Sequence, residues 1–115
     1  NAPAADAASN EPGISKKLDR KQRAQIRQER DQKIKPLQKQ LKALEREIAE
    51  LETEKEAITA ELCDADIIAD GEQFSQKSRR FAQVEQSLEE HFENWTAISE
   101  QIESIETEFE NRRVL

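Results

Sequence analysis

IKPLQKQLKALEREIAELETEKEAITAEL, residues 34–62, places apolar side chains at Ile34, Leu37, Leu41, Leu44, Ile48 and Leu51, skips Lys55, and resumes at Ile58 and Leu62. The steps alternate three and four. That alternation keeps one stripe of a helix turned toward a partner helix and, sustained over several heptads, is the signature of a coiled coil.

The second half of the chain repeats the pattern. Phe74, Phe81, Val84, Leu88, Trp95, Ile98, Ile102, Ile105 and Phe109 lie on one stripe, with Lys77 and His91 as polar interruptions. Between the two stripes runs CDADIIADGE, residues 63–72, short enough to return the chain directly and make the helices antiparallel neighbours. Asp70 is the expected N-cap of the second helix, with Gln73 three residues on completing a capping box. Folding about this loop pairs Leu62 with Phe74, Leu51 with Val84, Ile48 with Leu88, Leu41 with Trp95 and Ile34 with Ile102. From Ile34 to Leu62 the paired length comes to roughly 40 Å at the helical rise. Ile67 and Ile68, an adjacent β-branched pair in the loop, are expected to close the open end of the seam, with an exposed adhesive role as the alternative. The fold class is therefore all-α: a two-helix antiparallel coiled-coil hairpin, residues 36–112, preceded by a basic helical arm, residues 16–35. Residues 1–15, rich in Ala, Asn, Asp and Pro without periodicity, read as a disordered linker or tag remnant.

Composition agrees. In 115 residues, 35% are hydrophobic and 37% charged, enough apolar surface for a narrow seam and too little for a broad core around a catalytic cleft. The lone cysteine, Cys63, cannot form an internal disulfide and is compatible with a reducing cytoplasm. No stretch approaches the ~18 consecutive apolar residues of a membrane span, so no membrane role is expected.

Catalytic constellations are missing from the pattern. There is no glycine-rich phosphate loop, no paired Cys or His ligands, and a single histidine, His91, at a seam position that suits a structural imidazole. The acidic loop, Asp64, Asp66, Asp70 and Glu72, departs from a calcium-binding EF-hand, which wants an oxygen ligand at Ile68, glycine at Ala69 and glutamate at Ser75. No metal, no cofactor and no enzymatic activity are expected of these residues.

Charge distribution carries the functional information. Lys16, Lys17, Arg20, Lys21, Arg23, Arg27, Arg30, Lys33, Lys35 and Lys39 face only Asp19, Glu29 and Asp31, which gives residues 16–39 a net charge of +7 within a chain of net −7. The acidic remainder, residues 40–115, carries −12. Extending the heptad register back from Ile34 lands on Arg30, Arg27, Arg23, Arg20 and Lys16, so the apolar stripe becomes a row of cations and the core is expected to stop there. Pro36 falls at the changeover, where it either kinks one long helix or opens a second one at its first turn. Two readings of the arm stand side by side. In one, the cations lace against Glu100, Glu103, Glu106, Glu108 and Glu110 at the far end of the second helix, a solvated lattice worth little per pair. In the other, they engage nucleic-acid phosphates; about six neutralised phosphates on duplex DNA give a salt slope near ~−5. With no aromatic residue in the segment, the contact is backbone-directed rather than base-stacking.

The pattern as a whole resembles the C-terminal extension of ABC-F ATPases, a cytoplasmic family with tandem ATP-binding cassettes that acts on ribosomes. The resemblance rests on the basic approach from Lys16 to Lys39, on PLQKQLKALEREIAELETEKEAITAEL opening at Pro36-Leu37, on the loop CDADIIAD, and on FAQVEQSLEEHFENWTAI, and it covers roughly residues 16–102. Family loops tend to read Asp-Pro-x-Leu-Tyr-x-Asp; here Asp64 and Asp70 hold the ends, Ala65 stands at the proline and Ile67-Ile68 at the Leu-Tyr pair. Trp95, within HFENWTAI, looks like the tryptophan of the family's second helix. The resemblance implies a parent with two cassettes ahead of Asn1, which would bind the ATP. It also implies that this domain is an appended arm engaging ribosomal RNA, tRNA or structured DNA, with its own cassettes or a ribosomal protein as further partners and a monomeric hairpin as its state. The rival expectation is a structural coiled coil that binds protein alone.

Overall fold

The computed structural model describes the backbone over residues 2–114 and side chains over residues 16–112. The linker expected over residues 1–15 falls outside the described side chains. Three helices follow in order: α1, Ala2–Leu62; α2, Ala65–Ala69; and α3, Gly71–Val114. No strand occurs among the described residues, and the all-α hairpin expected from the two stripes is what forms. Pro36 does not start a new helix, because α1 is continuous across it.

Two compact units make up the chain, one of Leu37–Gln101 and one of Asn1–Pro36 with Ile102–Leu115. In the first, the α1 and α3 segments pack antiparallel around Ile48, Ile58, Val84 and Leu88, with Leu51, Leu62, Phe81 and Trp95 against them. All eight residues come from the two heptad stripes. Val84 is fully buried, whereas Phe74, at the first turns of α3, is 40% exposed. A two-helix seam has only one layer, so most of its members remain half-buried.

The polar interruptions of the stripes are answered across the pair. Lys55 Nζ lies 3.8 Å from Glu85 and stands 5.7 Å from the Phe81 ring centre. Lys77 pairs with Glu61, and His91 Nε2 is 2.7 Å from Glu47 Oε2. Arg80 Nη2 donates to Glu54 Oε1 at 2.8 Å, and Trp95 Nε1 donates to Glu45 Oε1 at 3.2 Å. Partners fall along α1 as they rise along α3, the expected antiparallel sense. Polar groups inside a seam cost stability but fix register, since any slip leaves them without a partner.

The reversal between the helices is tighter than the loop expected over 63–72. Asp64, extended at φ −76° and ψ 125°, caps α2 by accepting from the Asp66 amide at 2.8 Å. Asp70 caps α3: its Oδ1 accepts from the amides of Glu72 and Gln73, both at 3.2 Å, while Gln73 Nε2 donates to its Oδ2 at 3.0 Å. The expected cap is present with one change. Gln73 returns to the carboxylate rather than to the cap's own amide, because the Asp70 amide already donates to the carbonyls of Asp66 and Ile67. Ile67 is half-buried, but Ile68 is 55% exposed and does not close the seam, because the turn of α2 points the two neighbours in different directions.

Candidate functional site

Nine of the ten basic residues singled out from the sequence lie on the α1 segment of the second unit, from Lys16 to Lys35; Lys39 lies in the unit of Leu37–Gln101. All are exposed except Arg30, which is half-buried. The helix sorts them by face. Arg20, Arg23, Arg27 and Arg30 line a cleft of about 690 Å³ together with Ile26 and, from α3, Glu106, Phe109 and Glu110.

That cleft corrects the expectation that the core ends at Ile34. Phe109 is only 1% exposed and Ile26 is half-buried, so the arginine row has apolar company. Phe109 is held between two cations: Lys33 Nζ stands 5.3 Å and the Arg112 guanidinium carbon 4.8 Å from its ring centre, both within cation–π range. The sequence offered Phe109 as the last member of a stripe but gave no sign that its lid would be charged. Lys33 lies one residue off the α1 stripe, and Arg112 one turn beyond Phe109.

Acidic residues of the arm are all taken by arginines. Asp19 pairs with Arg23 at 3.0 Å, Asp31 with Arg30 at 3.3 Å, and Glu29 with Arg112 at 3.1 Å. Arg30 also reaches Glu106 on α3 at 3.1 Å, a contact of the expected lattice between this row and the glutamates of α3. Lys16, Lys17, Arg20, Lys21, Arg27, Lys35 and Lys39 enter no ion pair with a described residue.

Among the described residues, no cluster of three or more His, Cys, Asp or Glu side chains suits a metal ion. No described helix is long and apolar enough to cross a membrane. Cys63 is exposed.

No curated protein and no solved structure matches the chain. The family model of the ABC transporter C-terminal domain matches residues 35–100, which are almost the whole of the Leu37–Gln101 unit and more than half of the chain. The matched stretch is the one that forms the two-helix seam and its capped turn, and the chain belongs to the ABC transporter C-terminal domain family.

Proposed function

We propose that this is the C-terminal coiled-coil domain of an ABC-F type, ribosome-associated cytoplasmic ATPase, and that it contacts the backbone of ribosomal RNA, tRNA or structured DNA through its basic arm. The observation that carries the reading is the charge left over in the arm. Its three acids are already paired with arginines, yet Lys16, Lys17, Arg20, Lys21, Arg27 and Lys35 remain exposed without an anionic partner among the described residues. A surface of that kind attracts a polyanion by releasing condensed counterions, with little dependence on base sequence. ATP binding and hydrolysis belong, on this reading, to the cassettes of the parent protein, and the domain itself serves as a non-enzymatic arm.

Fluorescence anisotropy with a labelled DNA duplex and a structured RNA, titrated from low salt upward, tests it. The expected result is binding to at least one ligand that weakens linearly on a logarithmic salt axis. Absence of binding to both at low salt overturns it and leaves the protein-binding coiled coil as the better account, a reading favoured by the Arg30–Glu106 pair tying part of the row to α3.

A further inference from the structure

Two phenylalanines of the chain carry a cation on the ring, and in both cases a glutamate shares that cation. Lys55 Nζ stands 5.7 Å from the Phe81 ring centre and 3.8 Å from Glu85. The Arg112 guanidinium carbon stands 4.8 Å from the Phe109 ring centre, and its Nη1 reaches Glu29 at 3.1 Å. An aromatic face and a carboxylate both attract positive charge, so together they hold a cation in one place.

Phe92 has the same kind of neighbours and no cation. It takes no part in the buried cluster of the Leu37–Gln101 unit and is 47% exposed. Around it runs a shallow groove lined by Glu89, Glu93, Thr96, Ala97 and Glu100, all within that unit. Glu89 lies one turn before Phe92 and Thr96 one turn after, so they share its side of the helix. No cation of a described residue stands over the Phe92 ring, and Glu89, Glu93 and Glu100 make no side-chain hydrogen bond or ion pair with a described residue. This part of α3 cannot supply the missing charge itself, because between Phe81 and Gln101 it has five glutamates and no lysine or arginine.

We infer that the Phe92 groove is a docking surface for an arginine-bearing basic segment of another protein, with one guanidinium stacked on the Phe92 ring and bonded to Glu89 or Glu93. A planar guanidinium can lie flat on a ring while its edge still forks toward a carboxylate, which a compact ammonium does less well. Glu100, further along the groove, takes a second cation of the same segment. Three unpaired carboxylates around the ring repel a polyanion, so this surface is separate from the basic arm, and the inference does not rest on what the arm binds.

The test titrates the 115-residue chain at low salt with two synthetic peptides of equal length and charge, one of alternating Arg and Ala and one of alternating Lys and Ala. Backbone amide NMR is expected to show shifts centred on residues 89–100, with the arginine peptide bound about threefold more tightly. Phe92→Ala should weaken the arginine peptide by about threefold to fivefold and erase its advantage over the lysine peptide. Phe92→Leu should behave like the alanine variant, whereas Phe92→Trp should bind at least as well as the wild type, which separates a ring contact from mere apolar bulk. Glu89→Gln/Glu93→Gln should weaken both peptides. Unchanged affinity in Phe92→Ala, shifts spread evenly along both helices, or no binding of either peptide would overturn the inference. So would sedimentation showing a wild-type dimer that Phe92→Ala abolishes, since the groove would then belong to a second copy of the chain.

Discussion

His91 Nε2 sits 2.7 Å from Glu47 Oε2 on the facing helix, while the other nitrogen of the same ring, Nδ1, is buried with no partner among the described residues. One side chain thus carries both a register contact and an unmet polar group. His91→Leu should raise stability by about 1 kcal/mol, by filling a seam position and removing the unsatisfied atom. It should also weaken the specification of a single pairing, visible as new oligomers in sedimentation. A lower melting temperature in the variant would show that the Glu47 contact outweighs the burial.

Leu88 belongs to the buried cluster of the Leu37–Gln101 unit, and Phe92, one turn further on, is 47% exposed. Leu88→Ala should cost about 2–3 kcal/mol. Phe92→Ala should stay within about 0.5 kcal/mol, as expected for a surface change. Urea unfolding followed by circular dichroism compares the two directly, and similar losses would mean that Phe92 is covered in solution.

The carboxyl of Glu54 is held below its ordinary pKa chiefly by its hydrogen bond from Arg80; desolvation opposes this, and the nearby positive charge of Arg80 adds a lesser lowering. Because the folded value is the lower one, the pair contributes stability above the unfolded carboxylate range of about 4.3 and loses it as pH falls through the folded value. Glu54→Gln should therefore melt below the wild type at pH 7, with the gap closing under more acid conditions. Arg80, raised by the same contact, stays charged throughout. A gap that persists unchanged into strong acid would assign the loss to packing instead.

Phe109, closed in by Lys33 and Arg112, is only 1% exposed. Phe109→Ala should cost about 3 kcal/mol, toward the low end for so large a side chain because the site lies near a helix end. Hydrogen exchange should then speed up across the arm before Pro36 while amides of residues 37–101 keep their protection. Unchanged protection in the arm would show that the aromatic does not hold it.

Ala65 occupies the first turn of α2, immediately after its cap Asp64, and its amide makes no backbone hydrogen bond. Proline is favoured at such a position, where its fixed φ suits the helix and no donor is lost. Ala65→Pro should stabilise the hairpin by about 0.5–1 kcal/mol through the unfolded chain, measured as a shift of the denaturation midpoint without change in slope. Destabilisation would mean that the backbone at Ala65 departs from helical φ.

The seam was legible because burial in a two-helix pair acts through one period: Ile48, Ile58, Val84 and Leu88 stand where the three-four alternation puts them. The antiparallel return and the Asp70 cap were legible for similar reasons, since both depend on residues close in sequence. What the pattern hid is long-range and polar. Glu85, Glu61 and Glu47 are ordinary surface glutamates until the facing helix brings Lys55, Lys77 and His91 to them. The same holds in the arm, where an unbroken count of cations concealed that some are spent on Asp19, Asp31, Glu106 and the Phe109 ring while others are not.

Among the described residues none, glycine included, has positive φ, so the change of direction between α1 and α3 uses no left-handed backbone. Two carboxylates, on Asp64 and Asp70, do the steering. A bend built this way behaves like a door on two hinges: losing either aspartate loosens one leaf, and the identity of the residues between them is open to wide exchange.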